Sequence, residues 1–168
     1  MKAEYDDVFF LDGVETLIGH KTIEMPFRRV SARGIIFREK DGAVVGSLHH
    51  VGGSYALPGG AVDDGENTHE ALMRELQEEN IVMEGLDPNW MEKIVVDCYP
   101  GYYELTLWYI VIVQDAKFQA CEEVVETRWI HQDEDVWYPG MRTKIILALN
   151  QYVPELVKNK LQVVIQDS

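Results

Sequence analysis

The chain has 168 residues, 46% hydrophobic and 26% charged, which places it among ordinary globular domains with enough sequence for one well-buried core. Fifteen basic against twenty-nine acidic side chains leave a formal charge of −14, a field that disfavours duplex nucleic acid, and no local basic cluster offsets it. Cys98 and Cys121 stand far apart and outside any CxxC or Cys/His pattern, which argues against a zinc site or disulfide framework and fits a reducing compartment.

One domain over residues 1–168 is expected, with residues 1–27 as an N-terminal extension. Its start carries Glu4, Asp6 and Asp7 and too short an apolar run for a secretory signal. Val8 to Leu11, the turn pair Asp12-Gly13, and Val14 to Ile18 suggest a short hairpin, which would offer an edge strand to a second copy and hence a homodimer. Arg29 to Phe37 and Ala43 to Leu48 are β-prone and flank Lys40-Asp41-Gly42, a stronger hairpin signal. After a glycine-rich loop, Thr68 to Glu79 has helix-forming composition, Leu72 and Leu76 lie one turn apart, and Asn67 or Thr68 can cap the start. Strands are expected over Lys93 to Tyr99, Glu104 to Val113 and Val124 to Ile130. Met141 to Tyr152 has the apolar spacing of an amphipathic helix, and Pro154 limits it. The longest apolar run, Leu105 to Val113, is interrupted by Thr106 and falls short of the roughly 18 residues a membrane helix needs. A cytoplasmic protein with no membrane partner follows as an expectation, built as a mixed sheet covered by helices.

The informative stretch is LPGGAVDDGENTHEALMRELQEENIV, Leu57 to Val82. On a helix Glu75, Glu78 and Glu79 stand at i, i+3 and i+4 and share one face. Each like-charge pair costs only about 0.2–0.5 kcal/mol in an isolated helix, so a solvated acidic face is a sufficient explanation on helix energetics alone. A divalent cation would turn that repulsion into attraction, because hard magnesium takes carboxylate oxygens and water. The loop ahead adds weight. Gly59, Gly60 and Gly65 permit backbone conformations that bring amides or carbonyls close to a metal or phosphate, and Pro58 restricts Leu57 to extended geometry.

Gly60, five residues, Glu66, seven residues, and then Arg74-Glu75-Leu76-Gln77-Glu78-Glu79 resembles the signature of the Nudix hydrolase family. The family pattern continues with any residue, a glycine and an apolar residue, where this chain has Asn80-Ile81-Val82. Either the turn is one residue shorter and Asn80 takes the left-handed position, which is the favoured reading because Asn tolerates it, or the length is kept and Ile81 is strained there. The resemblance implies an α/β/α sandwich around a mixed sheet, compatible with the element order over residues 28 to 152. It further implies hydrolysis of a diphosphate linkage in a nucleoside diphosphate-linked or nucleoside triphosphate substrate, with magnesium, or manganese in its place. Glu78 and Glu79 would ligate the ion, Gly59 would add its carbonyl oxygen, and Glu75 would be a ligand or orient water. Gly60, Glu66 and Arg74 would hold the loop and helix together, the arginine through its planar fork.

A general base is still required, and Glu122 or Glu123 precedes the strand ending near Trp129; Glu123 is the candidate. Tyr99, Tyr102, Tyr103, Trp108 and Trp137 offer either base-stacking surface or core packing. His49 and His50 near the loop offer phosphate contact or plain strand-end surface. The rival readings are a Nudix-fold module that binds a nucleotide without cleaving it, an acidic domain that contacts a basic protein, and an isomerase of diphosphate-bearing alkenes.

Overall fold

Two long apolar stretches lie side by side at the centre of the molecule, and the rest of the fold is arranged around them. The computed structural model describes residues 2–5, 8–10, 21–24, 29–85, 94–99, 104–131 and 133–151. In chain order the elements are β1 Lys2–Tyr5, β2 Val8–Phe10, β3 Lys21–Glu24, β4 Arg29–Arg38, β5 Val44–Leu48, β6 Gly59–Ala61, α1 Thr68–Glu78, β7 Ile81–Glu84, β8 Ile94–Tyr99, β9 Glu104–Val113, β10 Asp115–Phe118, β11 Glu126–Ile130 and α2 Met141–Gln151. β4 and β9 run parallel in unbroken register from Arg29↔Glu104 to Arg38↔Val113.

Alternation along these strands divides the core in two, because successive side chains point to opposite faces. Val30, Ala32 and Ile36 of β4, with Leu107, Tyr109, Val111 and Val113 of β9, pack against Ala71, Leu72 and Leu76 of α1. Ile35 and Phe37, with Trp108, Ile110 and Ile112, pack on the other face against Ile145 and Ala148 of α2. A sheet buried on both faces reads in sequence as a continuous apolar run, which is how β9 reads. The expected α/β/α sandwich with a mixed sheet is therefore the architecture found. The main sheet runs β11-β5-β4-β9-β8-β2, with β6 also paired to β4. Among the described residues no helix is long and apolar enough to cross a membrane.

The N-terminal segment departs from a simple hairpin. Val8–Phe10 is a strand, but it pairs in parallel with β8 and adds an edge to this chain's own sheet. β1 pairs antiparallel with β3, from Lys2↔Glu24 to Tyr5↔Lys21. The turn Asp12-Gly13 and the second arm, Val14 to Ile18, lie outside the described residues.

Helix α1 begins with a capping box: Asn67 accepts from the Glu70 amide at 2.8 Å and the Glu70 carboxylate accepts from the Asn67 amide at 3.2 Å. Of the two candidate caps, Asn67 is the one used. Thr68 is buried, and its hydroxyl instead meets that of Tyr109 on β9, tying the helix start to the sheet. The helix ends at Glu78 and the chain turns at Asn80, whose φ of 55° is the one positive value among the described non-glycine residues. Ile81 then enters β7, which pairs with β10 in a separate two-stranded ribbon. The shorter turn, with Asn80 in the left-handed position, is thus the one adopted, and Ile81 escapes the strain a branched residue would meet there.

Asn80→Ala is expected to destabilise the chain by about 1 kcal/mol, since alanine lacks asparagine's tolerance of that conformation, while Asn80→Gly leaves stability at or above the original. Urea denaturation midpoints check this, and equal midpoints for all three chains would count against it.

Candidate active site

The site forms where the sheet splits. β5 meets β4 at Phe37↔Val44, but further along the same edge β4 pairs with β6 instead, Arg33 opposite Gly59 and Ala32 opposite Gly60. The chain through Ala56 to Val62 is wedged into the gap: Ser47 and Ala56 exchange backbone hydrogen bonds, the Gly34 amide donates to Pro58, and the Val62 amide donates to Val30. In an antiparallel ladder these last bonds set the phase at residues 58, 60 and 62, so the Gly59 amide and carbonyl turn away from β4. The Arg33 guanidinium braces the wedge by donating from Nη1 to the Leu57 carbonyl at 2.7 Å.

Two glycines make the wedge sterically feasible. Gly59 has φ 132°, and a Cβ there would lie 2.2 Å from the Ala32 carbonyl oxygen. A Cβ on Gly60 would stand 2.5 Å from the carboxyl carbon of Glu75. The Gly60 backbone and the Glu75 carboxylate can approach this closely because no side chain intervenes.

Arg74 joins loop to helix. Its Nε donates to Glu66 Oε1 at 2.6 Å and its Nη2 to Glu66 Oε2 at 3.2 Å and to the Ala61 carbonyl at 2.9 Å. Nη1 turns the other way, donating to Glu75 Oε1 at 3.0 Å and to Glu78 Oε2 at 3.1 Å. The guanidinium is held protonated more firmly than usual, first by Glu66, and the same pairing holds the Glu66 carboxyl below its ordinary value. Glu66 also accepts from the Asp63 amide at 2.9 Å, which closes the loop ahead of the helix.

Glu79 is different. It follows the last residue of the helix, is only 3% exposed, and is the one acidic residue among the buried polar side chains described. Its side-chain partner is Ser47, whose hydroxyl donates to Oε2 at 3.3 Å. Burial pushes its carboxyl up to about 7, against the opposing pull of the Ser47 bond and the Arg33 charge, while Glu75 adds to the rise. The position compounds the cost, because the end of a helix carries partial negative charge and the last turn of α1 holds no basic residue. Buried acid at this end of a helix calls for positive charge that the described residues do not place in contact with it.

The candidate donors here are all oxygens, the chemistry that suits a hard divalent cation, and buried Glu79 beside Glu75 fits such an ion. Glu78, on the exposed side, is engaged by Arg74, and among the described residues no three acidic or imidazole groups stand together in a metal-holding cluster. Glu123 is exposed on the loop before β11, where its backbone carbonyl accepts from His49 Nδ1 at 3.1 Å, just beyond the end of β5. Trp108 is buried in the α2-side core and Trp137 packs against the same cluster, so both serve as core; Tyr102, Tyr103 and the side chain of Tyr99 lie outside what is described. Ser47 and Arg33 carry no sequence signal, Ser47 being a lone polar residue in β5 and Arg33 one of several polar residues in β4.

A family model for the NUDIX domain matches residues 27–143. The chain belongs to the Nudix family. No curated protein matches it in sequence. A bifunctional NMN adenylyltransferase/ADP ribose pyrophosphatase from Francisella tularensis superposes with a TM-score of 0.60 at 16% identity, covering 77% of this chain and 42% of that one. The chain thus spans less than half the length of that relative. The same Francisella protein complexed with AMP and a manganese ion gives 0.56 at 16% identity, over 76% of this chain and 42% of that one. The MutT protein from Methanosarcina mazei Go1 gives 0.53 at 18% identity, over 77% of this chain and 97% of that one. At these identities the likeness establishes the fold.

Arg74→Lys keeps the charge but not the fork, so it is expected to destabilise the chain by about 1–3 kcal/mol and to speed amide exchange over residues 61–66. Hydrogen exchange with mass detection checks this, and an unchanged exchange rate there would show that the loop is ordered by something else.

Proposed function

We propose that this chain is a Nudix-type pyrophosphohydrolase that hydrolyses a diphosphate linkage in a nucleotide-like small molecule, with magnesium, or manganese in its place, as the cofactor. The observation that carries the reading is the buried Glu79 carboxyl, set beside Glu75 at the negative end of a helix with only neutral hydrogen-bond donors, the Ser47 hydroxyl and the Gly59 backbone, as its bonded partners among the described residues. Glu75, Glu78 and Glu79 would hold the ion, with the Gly59 carbonyl as a further oxygen. Bound there, a divalent cation supplies neutralisation of the phosphate oxygens and activation of water.

The chain's own groups account for the rest. Arg74 fixes Glu75 and Glu78 against the loop, so that positioning is achieved before substrate arrives. The wedge of Ala56 to Val62 gives the site a rigid floor. Glu123 is the proposed acceptor of the water proton; its backbone carbonyl meets His49, two residues beyond Ser47, where its exposed loop runs into β11 beside the end of β5. The substrate class we favour is a nucleoside diphosphate derivative or a nucleoside triphosphate, in line with the ADP ribose pyrophosphatase and MutT names of the structural relatives. The Francisella relative, whose structure is a complex with AMP and a manganese ion, is in line with a nucleotide and a divalent ion as ligands.

Glu78→Gln and Glu79→Gln are each expected to remove most magnesium-dependent turnover, on the order of 100-fold or more in kcat, while the denaturation midpoint stays at or above that of the unmodified chain for Glu79→Gln, which relieves a buried charge. Mass identification of products from a panel of nucleoside diphosphate derivatives and triphosphates checks the loss and names the substrate. Near-normal turnover in both variants would remove the metal role. Tight nucleotide binding with no cleavage by the unmodified chain would favour a binding module.

A further inference from the structure

Ser47 is completely buried on the α1 face of β5, in line with Val45 of the α1-side core. Its register partner on β11 is Thr127, between the pairs Gly46↔Arg128 and Glu126↔Leu48. Residues directly opposite in an antiparallel pair share a face, and Trp129, two residues beyond Thr127, packs on the α1-side core, which fixes that face. Two hydroxyl side chains are therefore cross-strand neighbours on this face. The Ser47 hydroxyl donates to Glu79 Oε2, whereas Thr127 Oγ1 is buried with no hydrogen-bond partner.

We propose that Ser47 is a positioning residue for the cation site: its hydroxyl holds Oε2 of Glu79 and so sets the direction in which the carboxylate meets the ion. The proposal rests on the reading of Glu75, Glu78 and Glu79 as the ion's holders. Neutral hydroxyls suit this task. A lysine or arginine in the same place would cancel the charge the ion needs, whereas a hydroxyl donor orients the carboxylate and leaves its charge in place.

The test measures Mn2+ binding to the full chain without nucleotide, by the electron paramagnetic resonance signal of free Mn2+, alongside kcat and KM. Ser47→Ala is expected to weaken Mn2+ binding by about 10-fold or more and to lower kcat with KM nearly unchanged, and Ser47→Thr, which keeps the hydroxyl, to restore most of both. Thr127→Val, which removes the neighbouring hydroxyl that makes no bond, is expected to leave both nearly unchanged, and a loss equal to that of Ser47→Ala would show that packing under the sheet and not the Ser47–Glu79 bond sets the affinity. Unchanged Mn2+ affinity in Ser47→Ala, or an equal loss in Ser47→Thr, would overturn the proposal. If Ser47→Ala is too unstable to assay, Ser47→Cys, which keeps the size and weakens the donor, decides, and unaltered Mn2+ affinity and kcat there overturn the proposal. Failure of the unmodified chain to bind Mn2+ at all would instead overturn the reading of the site, and this inference with it.

Discussion

A carboxylate buried at the wrong end of a helix is the constraint around which this site is built. Raising the Glu79 carboxyl from its usual 4.5 to about 7 corresponds to roughly 3 kcal/mol against the charged form, more than an exposed ion pair returns. A sequence selected for stability alone would place an apolar residue there. Fold and local preference disagree at Glu79, and such disagreements concentrate where a ligand completes the structure. The two features nearest to it, the glycine wedge and the Ser47 hydroxyl, both act on this one group.

The sheet supplies the geometry. β4 and β9 form a rigid centre, since side chains from both fill the two core layers at once. Only at the edge, where β5 leaves β4, is there room for the wedge to enter, and the wedge carries Gly59 and Gly60 to the end of α1. Arg74 then locks the loop by serving Glu66 and Ala61 on one side and Glu75 and Glu78 on the other. A single planar cation thus links the loop that approaches the helix with two of its three carboxylates, while Glu79 lies beyond its reach and is held by the sheet.

Much of this was legible in the sequence. β9, α1 and α2 were placed to within a residue or two because long apolar runs and helical spacing are strong signals, and the spacing of Gly60, Glu66 and Arg74 to Glu79 pointed to the family. Asn80 was read through a physical argument, tolerance of positive φ, and the chain turns there. Shorter elements escaped. β6 reads as part of a glycine-rich loop because Gly59-Gly60 is turn-like out of context, and β7 and β10 are four residues each, too short for alternation to show. Val8 to Phe10 looked like half of a local hairpin, yet its partner β8 comes from much later in the chain, a pairing that no local pattern specifies. Ser47 was invisible for the same reason, since its meaning comes from a residue 32 positions away.

The most direct test of the central claim is anomalous diffraction from crystals soaked with Mn2+ and a non-hydrolysable nucleotide. The account predicts a manganese peak bonded to the Glu79 carboxylate, with Oε2 still on the Ser47 hydroxyl. A nucleotide seated with no ion at Glu79, or a manganese ion held elsewhere while Glu79 stays bonded to protein alone, would contradict it.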